Sequence, residues 1–147
     1  PLSARPAYQE ACLEEWYPEL EQAWDIYASS IRAIRDDCRS RNIPLIAFAH
    51  GFIYKDWNSY DAHSWQELND KFPETPYEMN KDIRLTQELL AELDIPFVDI
   101  TQAVSSYNRP EDLFYINDGH FSPAGAQIVA ECIFDFLQKN HFLAGIL

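Results

Sequence analysis

Asp118 and His120 stand two residues apart in the stretch NDGHFSPAGAQ, residues 117–127, and that pair could do acid–base chemistry. A carboxylate can accept the Nδ1–H of an imidazole, which fixes the tautomer and stabilises the cation that forms. Nε2 is then free to take a proton from a nucleophile. Taken alone, Asp118-Gly119 reads first as a turn, because both residue types are common there. The residues just after the pair give it a defined position. Ser122 precedes Pro123, so its backbone is pushed toward extended angles, which is the geometry of a helix N-cap. Pro123 suits the first helical position, where its missing N–H costs nothing. Gly125, in the first turn, would let another part of the chain approach closely.

The elements that must carry this pair can be read from hydrophobic spacing. A last helix is expected over ~123–138, with Ile128, Val129, Cys132, Ile133, Phe136 and Leu137 on one face. A first helix is expected over ~18–41, where Leu20, Trp24, Tyr27, Ile31, Ile34 and Cys38 make one apolar stripe. Pro18 suits its first turn, and Asn42, which tolerates the left-handed conformation, suits its stop. IPLIAFAH, 43–50, and IPFVDI, 95–100, read as buried strands. A helix at ~78–93 lies between them, with Met79, Ile83, Leu90 and Leu93 facing inward, and LFYIN, 113–117, reads as extended and a candidate short strand. Two buried strands joined through a helix should be parallel. The class is therefore α/β with a parallel sheet. Two or three strands are few for such a sheet, and the helices carry more apolar face than it can cover.

The chain has 147 residues, room for a single domain spanning 1–147. Its 47% apolar content makes it globular and not disordered. The net charge of −13 repels phosphate backbones and anionic lipid, so neither nucleic acid nor a membrane surface is an expected partner. No apolar run reaches the ~20 residues of a membrane span. Cys12, Cys38 and Cys132 are an odd number without a Cys-x-x-Cys, which argues against a disulfide framework and against structural zinc. Cys38 and Cys132 fall at core-like helical positions and are expected to be buried thiols. There is no signal peptide and no starting Met, and a targeting segment could precede Pro1, so the compartment is undetermined with a slight lean to the cytoplasm.

Three stretches resemble the C-terminal half of the SGNH (GDSL-type) esterases and lipases. LEQAWDIYASSIRAIRDDCRSRNIPLIAFAH is similar to a helix and strand of that family, and QELLAELDIPFVDIT to the next helix–strand pair. LFYINDGHFSPAGAQIVAECIFDFL resembles its final block, in which Asp-x-His or Asp-x-x-His leads into a helix with a Gly in its first turn. Asn117 occupies the third position before His120, so Asp118 is the only acid available there. The resemblance implies the C-terminal part of a flavodoxin-like three-layer α/β/α fold and an ester hydrolase of esterase, lipase or deacetylase type. It implies His120 as general base, Asp118 as its orienting acid, and no cofactor. The Gly-Asp-Ser block that supplies the nucleophile in that family is not among these residues. The expectation is that an upstream segment or a partner chain provides the serine, and that the chain alone is inactive.

Residues 51–77 are aromatic and polar without a sustained period, and long loops of this kind are often functional. Phe52, Tyr54, Trp57, Tyr60 and Trp65 could line a pocket for an acyl group or acetylated sugar, or could simply cover a sheet. Asp61-Ala62-His63 is a second Asp-x-His. Together with His50, Asp118 and His120 it leaves open a metal-dependent hydrolase, although the spacing matches no metal motif. A non-catalytic interaction module that kept the half-fold is the remaining alternative. The acidic run RPAYQEACLEEWYPELEQ reads as a solvated face, and Tyr8, Trp16 and Tyr17 as core or interface.

Overall fold

The computed structural model describes residues 8–50, 70–78, 80–115 and 120–142. A 3-10 turn over Tyr8–Cys12 leads to helix α1, Pro18–Ser40, and strand β1, Ala47–Ala49. Helix α2, Lys81–Glu92, strand β2, Phe97–Asp99, and a short helix α3, Thr101–Ser105, come next. A second 3-10 turn, Pro110–Leu113, precedes the last helix α4, Pro123–Lys139. The strands pair in parallel, with Ala47 opposite Phe97, Phe48 opposite Val98 and Ala49 opposite Asp99. The class is α/β, as the alternation of periods indicates, and the described sheet has two strands.

The three long helices stop by one device. Asn42, Asp94 and His141 each adopt a positive φ, at 55°, 53° and 59°. Behind each lies the same pair of hydrogen bonds. After α1, Asn42 N–H donates to the Arg39 carbonyl and Ile43 N–H to that of Cys38. After α2, Asp94 and Ile95 donate to Ala91 and Leu90; after α4, His141 and Phe142 donate to Gln138 and Leu137. This is a left-handed closure that satisfies the last carbonyls of a helix and turns an apolar residue back onto it. In α1 and α2 a proline comes at once, Pro44 and Pro96, and holds the preceding isoleucine extended on the way into a strand. Arg39 also donates to the Leu93 carbonyl at 3.2 Å, so the two closures lie side by side.

The first core cluster joins Ala28 of α1 to Leu89, Leu90, Leu93 and Ile95, with Trp24, Ile31, Leu45, Ala47 and Phe97 against it. Leu90 is 1% exposed, and its truncation to Ala would cost about 2–5 kcal/mol. The second cluster, Val104, Leu113 and Phe114, takes Phe121, Ala124 and Ile128 from the start of α4. Two of the six residues in the apolar stripe of α1, Tyr27 and Ile34, are exposed, as are Ile26 beside it, Phe48 of β1 and Phe134 of α4. Among the described residues the helices carry more apolar face than the two-stranded sheet covers, as the sequence suggests. No helix among the described residues is long and apolar enough to cross a membrane.

Several expectations are corrected. The run 113–117 does not supply a third strand over its described residues. Leu113 closes a 3-10 turn, and only Phe114 pairs, as a lone antiparallel bridge to Phe121. The second long helix begins at Lys81, not 78, because Asn80 is left-handed (φ 61°) and breaks the run; Met79 lies outside the described residues. Cys38 and Cys132 are half-buried, whereas Cys12 is the buried thiol. The acidic run is not wholly solvated. Glu10 is 2% exposed and accepts from Lys71 Nζ at 2.6 Å and from the Tyr17 hydroxyl.

That carboxylate belongs to a polar seam joining residues 8–17 to 70–81. Lys81, 8% exposed, donates to the Leu13 and Glu14 carbonyls at 2.9 and 2.8 Å, and its ammonium lies 4.2 Å from the Trp16 ring centroid. Tyr17 stacks on Phe72. Burial, and then the hydrogen bond to Glu10, push the Tyr17 phenol above its ordinary 10.0; burial pushes the Cys12 thiol up and the Lys81 amine down.

Tyr17 and Cys12 hold their protons more tightly in the fold than in the unfolded chain, so unfolding releases protons at alkaline pH and stability falls there as pH rises. Lys81 gives up its proton more readily when folded and works the other way. Urea midpoints measured from pH 8 upward should therefore drop above about pH 10, and the drop should be smaller in Tyr17→Phe. Separately, Lys81→Met leaves two carbonyls unsatisfied and should cost about 1–3 kcal/mol at neutral pH.

Candidate functional site

The C-terminal ends of the parallel strands and the start of α4 meet at one edge of the molecule. β2 runs directly into α3: Ile100 N–H donates to the Ala49 carbonyl at 3.0 Å, and Asp99 Oδ1 accepts the Thr101 N–H at 2.8 Å. Ile100 and Val104 are fully buried, so this corner is rigid. Open parallel sheets place their ligand sites at this end of the strands.

The bend before α4 is clamped at its base. Ser122 has extended angles (φ −68°, ψ 172°) and its hydroxyl accepts the Gly125 N–H at 3.3 Å, so it is the N-cap the sequence indicates, with Pro123 beginning the helix. The same hydroxyl donates to the Asp112 carbonyl at 2.6 Å, and Ser122 N–H donates to that of Leu113 at 2.9 Å. Gly125 lies against this turn so closely that a Cβ there would sit 2.0 Å from the Leu113 carbonyl oxygen and 2.7 Å from Phe121 Cδ1. The glycine is required by close approach. One step out, Phe114 stacks on Phe121 with centroids 4.8 Å apart, and Tyr115 N–H donates to the His120 carbonyl at 2.9 Å. The chain therefore leaves at Tyr115 and returns at His120 with its ends tied together.

His120 is exposed on this tied bend. Its expected partner Asp118 lies outside the described residues, as do Phe52, Tyr54, Trp57, Tyr60, Trp65, Asp61 and His63. Among the described residues no group of three or more His, Cys, Asp or Glu could hold a metal ion. The structure adds a residue that the motif does not single out. His50, just past the end of β1, sets its ring edge-on to Phe121 at 5.1 Å and to Phe114 at 5.9 Å. A histidine ending an apolar strand run is the visible signal, but its partners lie far along the chain. An exposed imidazole on a clamped bend at the carboxyl edge of a parallel sheet can accept and return protons for a group bound at that edge.

The family model described as SGNH hydrolase-like domain, acetyltransferase AlgX, matches residues 67–146, more than half of the chain. No curated protein and no solved structure matches it.

The clamp makes two graded predictions for stability, read from thermal or urea unfolding. Ser122→Ala removes the cap and should cost about 0.5–2 kcal/mol. Gly125→Ala drives a methyl group into the Leu113 carbonyl and should cost about 1–3 kcal/mol or more. Equal, negligible effects would show that the helix start is not held by this contact.

Proposed function

From its membership of the SGNH hydrolase-like family, where this chain belongs, we propose that the protein cleaves acyl esters with a Ser-His-Asp triad to which it contributes His120 and Asp118. The observation that carries the reading is the clamped, exposed bend that sets His120 at the carboxyl edge of the sheet. Asp118 accepts the Nδ1–H of His120 and keeps Nε2 unprotonated toward the nucleophile. The serine hydroxyl, from residues outside these 147, attacks the ester carbonyl as Nε2 takes its proton. The imidazolium returns the proton to the departing alcohol, leaving an acyl-enzyme. Water, deprotonated by the same nitrogen, then releases the acid. The oxyanion donors come, like the serine, from outside the chain. The exposed Phe48 on β1 and Ile26 and Ile34 on α1 support this, since they are apolar surface that a wider sheet and its helices would cover. Phe52, Tyr54, Trp57 and Trp65 are assigned to the wall of the acyl or acetylated-sugar pocket.

A second reading differs only in the last step. The matched family's description names an acetyltransferase, which favours an alcohol in place of water as acyl acceptor. Both readings need the same acid–base pair, so activity assays distinguish them by product.

In the intact protein, p-nitrophenyl acetate hydrolysis should fall roughly 10⁴-fold in kcat for His120→Ala and similarly for Asp118→Asn. Adding a sugar alcohol should leave free acetate as the main product if water is the acceptor, and give the acetylated alcohol if transfer dominates. Wild-type protein without any ester turnover points to a non-catalytic module.

A further inference from the structure

His50 is not part of the triad reading, yet its side chain, just past the end of β1, touches the base of the bend. It comes directly after β1, which the parallel ladder fixes in register with β2. Its ring meets Phe121, the residue after His120, edge-on at an interplanar angle of 67° and 5.1 Å between centroids. It meets Phe114, the residue before Tyr115, at 64° and 5.9 Å. Phe114 and Phe121 are themselves stacked and bridged, and they are the rungs from which the tied pair Tyr115–His120 projects. Edge-to-face ring contacts of this kind are directional and add to simple burial. The histidine ring thus closes a three-ring cluster whose other two members flank the bend on both of its sides.

We infer that His50 is a positioning residue for His120: its ring, packed on Phe114 and Phe121, sets the angle at which the bend presents the general base to the strand ends. The inference rests on the triad reading. Without His50 the bend keeps its own hydrogen bonds and its Gly125 clamp, so the chain still folds. What it loses is the ring contact between the end of β1 and the base of the bend. The angular error falls on proton transfer in the transition state and leaves ground-state substrate binding largely alone. A second ring of similar shape restores the contact, because the interaction is through ring edges.

The test compares His50→Ala, His50→Phe and Phe121→Leu with His120→Ala in the intact protein on p-nitrophenyl acetate. His50→Ala should lower kcat about 10- to 100-fold with KM within about twofold. His50→Phe should recover most of that kcat, and Phe121→Leu, which removes the facing ring, should reproduce the loss even if His50→Ala proves too unstable to assay. Wild-type kcat in both His50→Ala and Phe121→Leu overturns the inference while an inactive His120→Ala leaves the triad standing. A His50→Phe variant as slow as His50→Ala also overturns it, since an imidazole nitrogen and not ring packing would then be responsible. Turnover that survives His120→Ala removes the triad reading and this inference together.

Discussion

The structure around the site depends on one backbone contact, the seat of Gly125 against the carbonyl of Leu113. That carbonyl also accepts the Ser122 N–H, so the first turn of α4 and the 3-10 turn before the bend share a single anchor. Once they are joined, Phe121 has nowhere to go but onto Phe114, and His120 faces Tyr115 closely enough to exchange a hydrogen bond. The placement of His120 thus starts from backbone approach, and the rings of Phe114, Phe121 and His50 pack onto that base. Ends held in this way, Tyr115 and His120, give up their backbone freedom on folding and not on binding. That is the condition under which a base can be aimed.

A different physics holds the other end of the molecule. Residues 8–17 and 70–81 join through a lone antiparallel bridge, Leu13 with Tyr77, and through buried polar groups beside it: Glu10 with Lys71 and Tyr17, and Lys81 with two carbonyls and the face of Trp16. A buried charge is tolerable only with its partners in place. The seam is consequently specific, because another alignment of the two segments would strand Glu10 or Lys81. It also fixes where α2 begins. Asn80 turns left-handed, Lys81 reaches back across the seam, and the helix proceeds from there.

Local periodicity and local sterics are the legible part of this sequence. The long helices, the Asn42 stop and the Ser122 cap come from residues within a turn or two of each other, and the parallel class and the glycine at 125 are legible from local signals even though their partners are distant. Asp94 and His141 close their helices as Asn42 does, but only Asn advertises a left-handed angle strongly enough to be read. Leu113 to Asn117 reads as a strand because aromatic and branched residues favour one, and over the described part, 113–115, tertiary demand on the Leu113 carbonyl overrides that preference. Glu10 reads as solvated because its partner Lys71 is 61 residues away, and the contact of His50 with Phe114 and Phe121 is hidden for the same reason. Of the site, the bend and the place of His120 are readable; the ring cluster beneath it is not.

The acidity of the chain bears on what chemistry such an edge can support. With a net charge of −13, a long-range field of this sign favours the imidazolium formed when a histidine takes a proton and disfavours an oxyanion formed beside it. Screening limits that field to about 8 Å at physiological ionic strength. The exposed carboxylates of α1 and α2 thus count for little at a site beyond that distance, and the balance between cation and oxyanion is set by near neighbours. A carboxylate against Nδ1 supports the cation directly. The oxyanion must then be met by close, preorganised N–H donors, since the surrounding surface offers it no help. Under the proposed triad, proton uptake is therefore governed by that near carboxylate and not by the overall acidity, and a useful rate needs neutral donors facing the pair across the substrate.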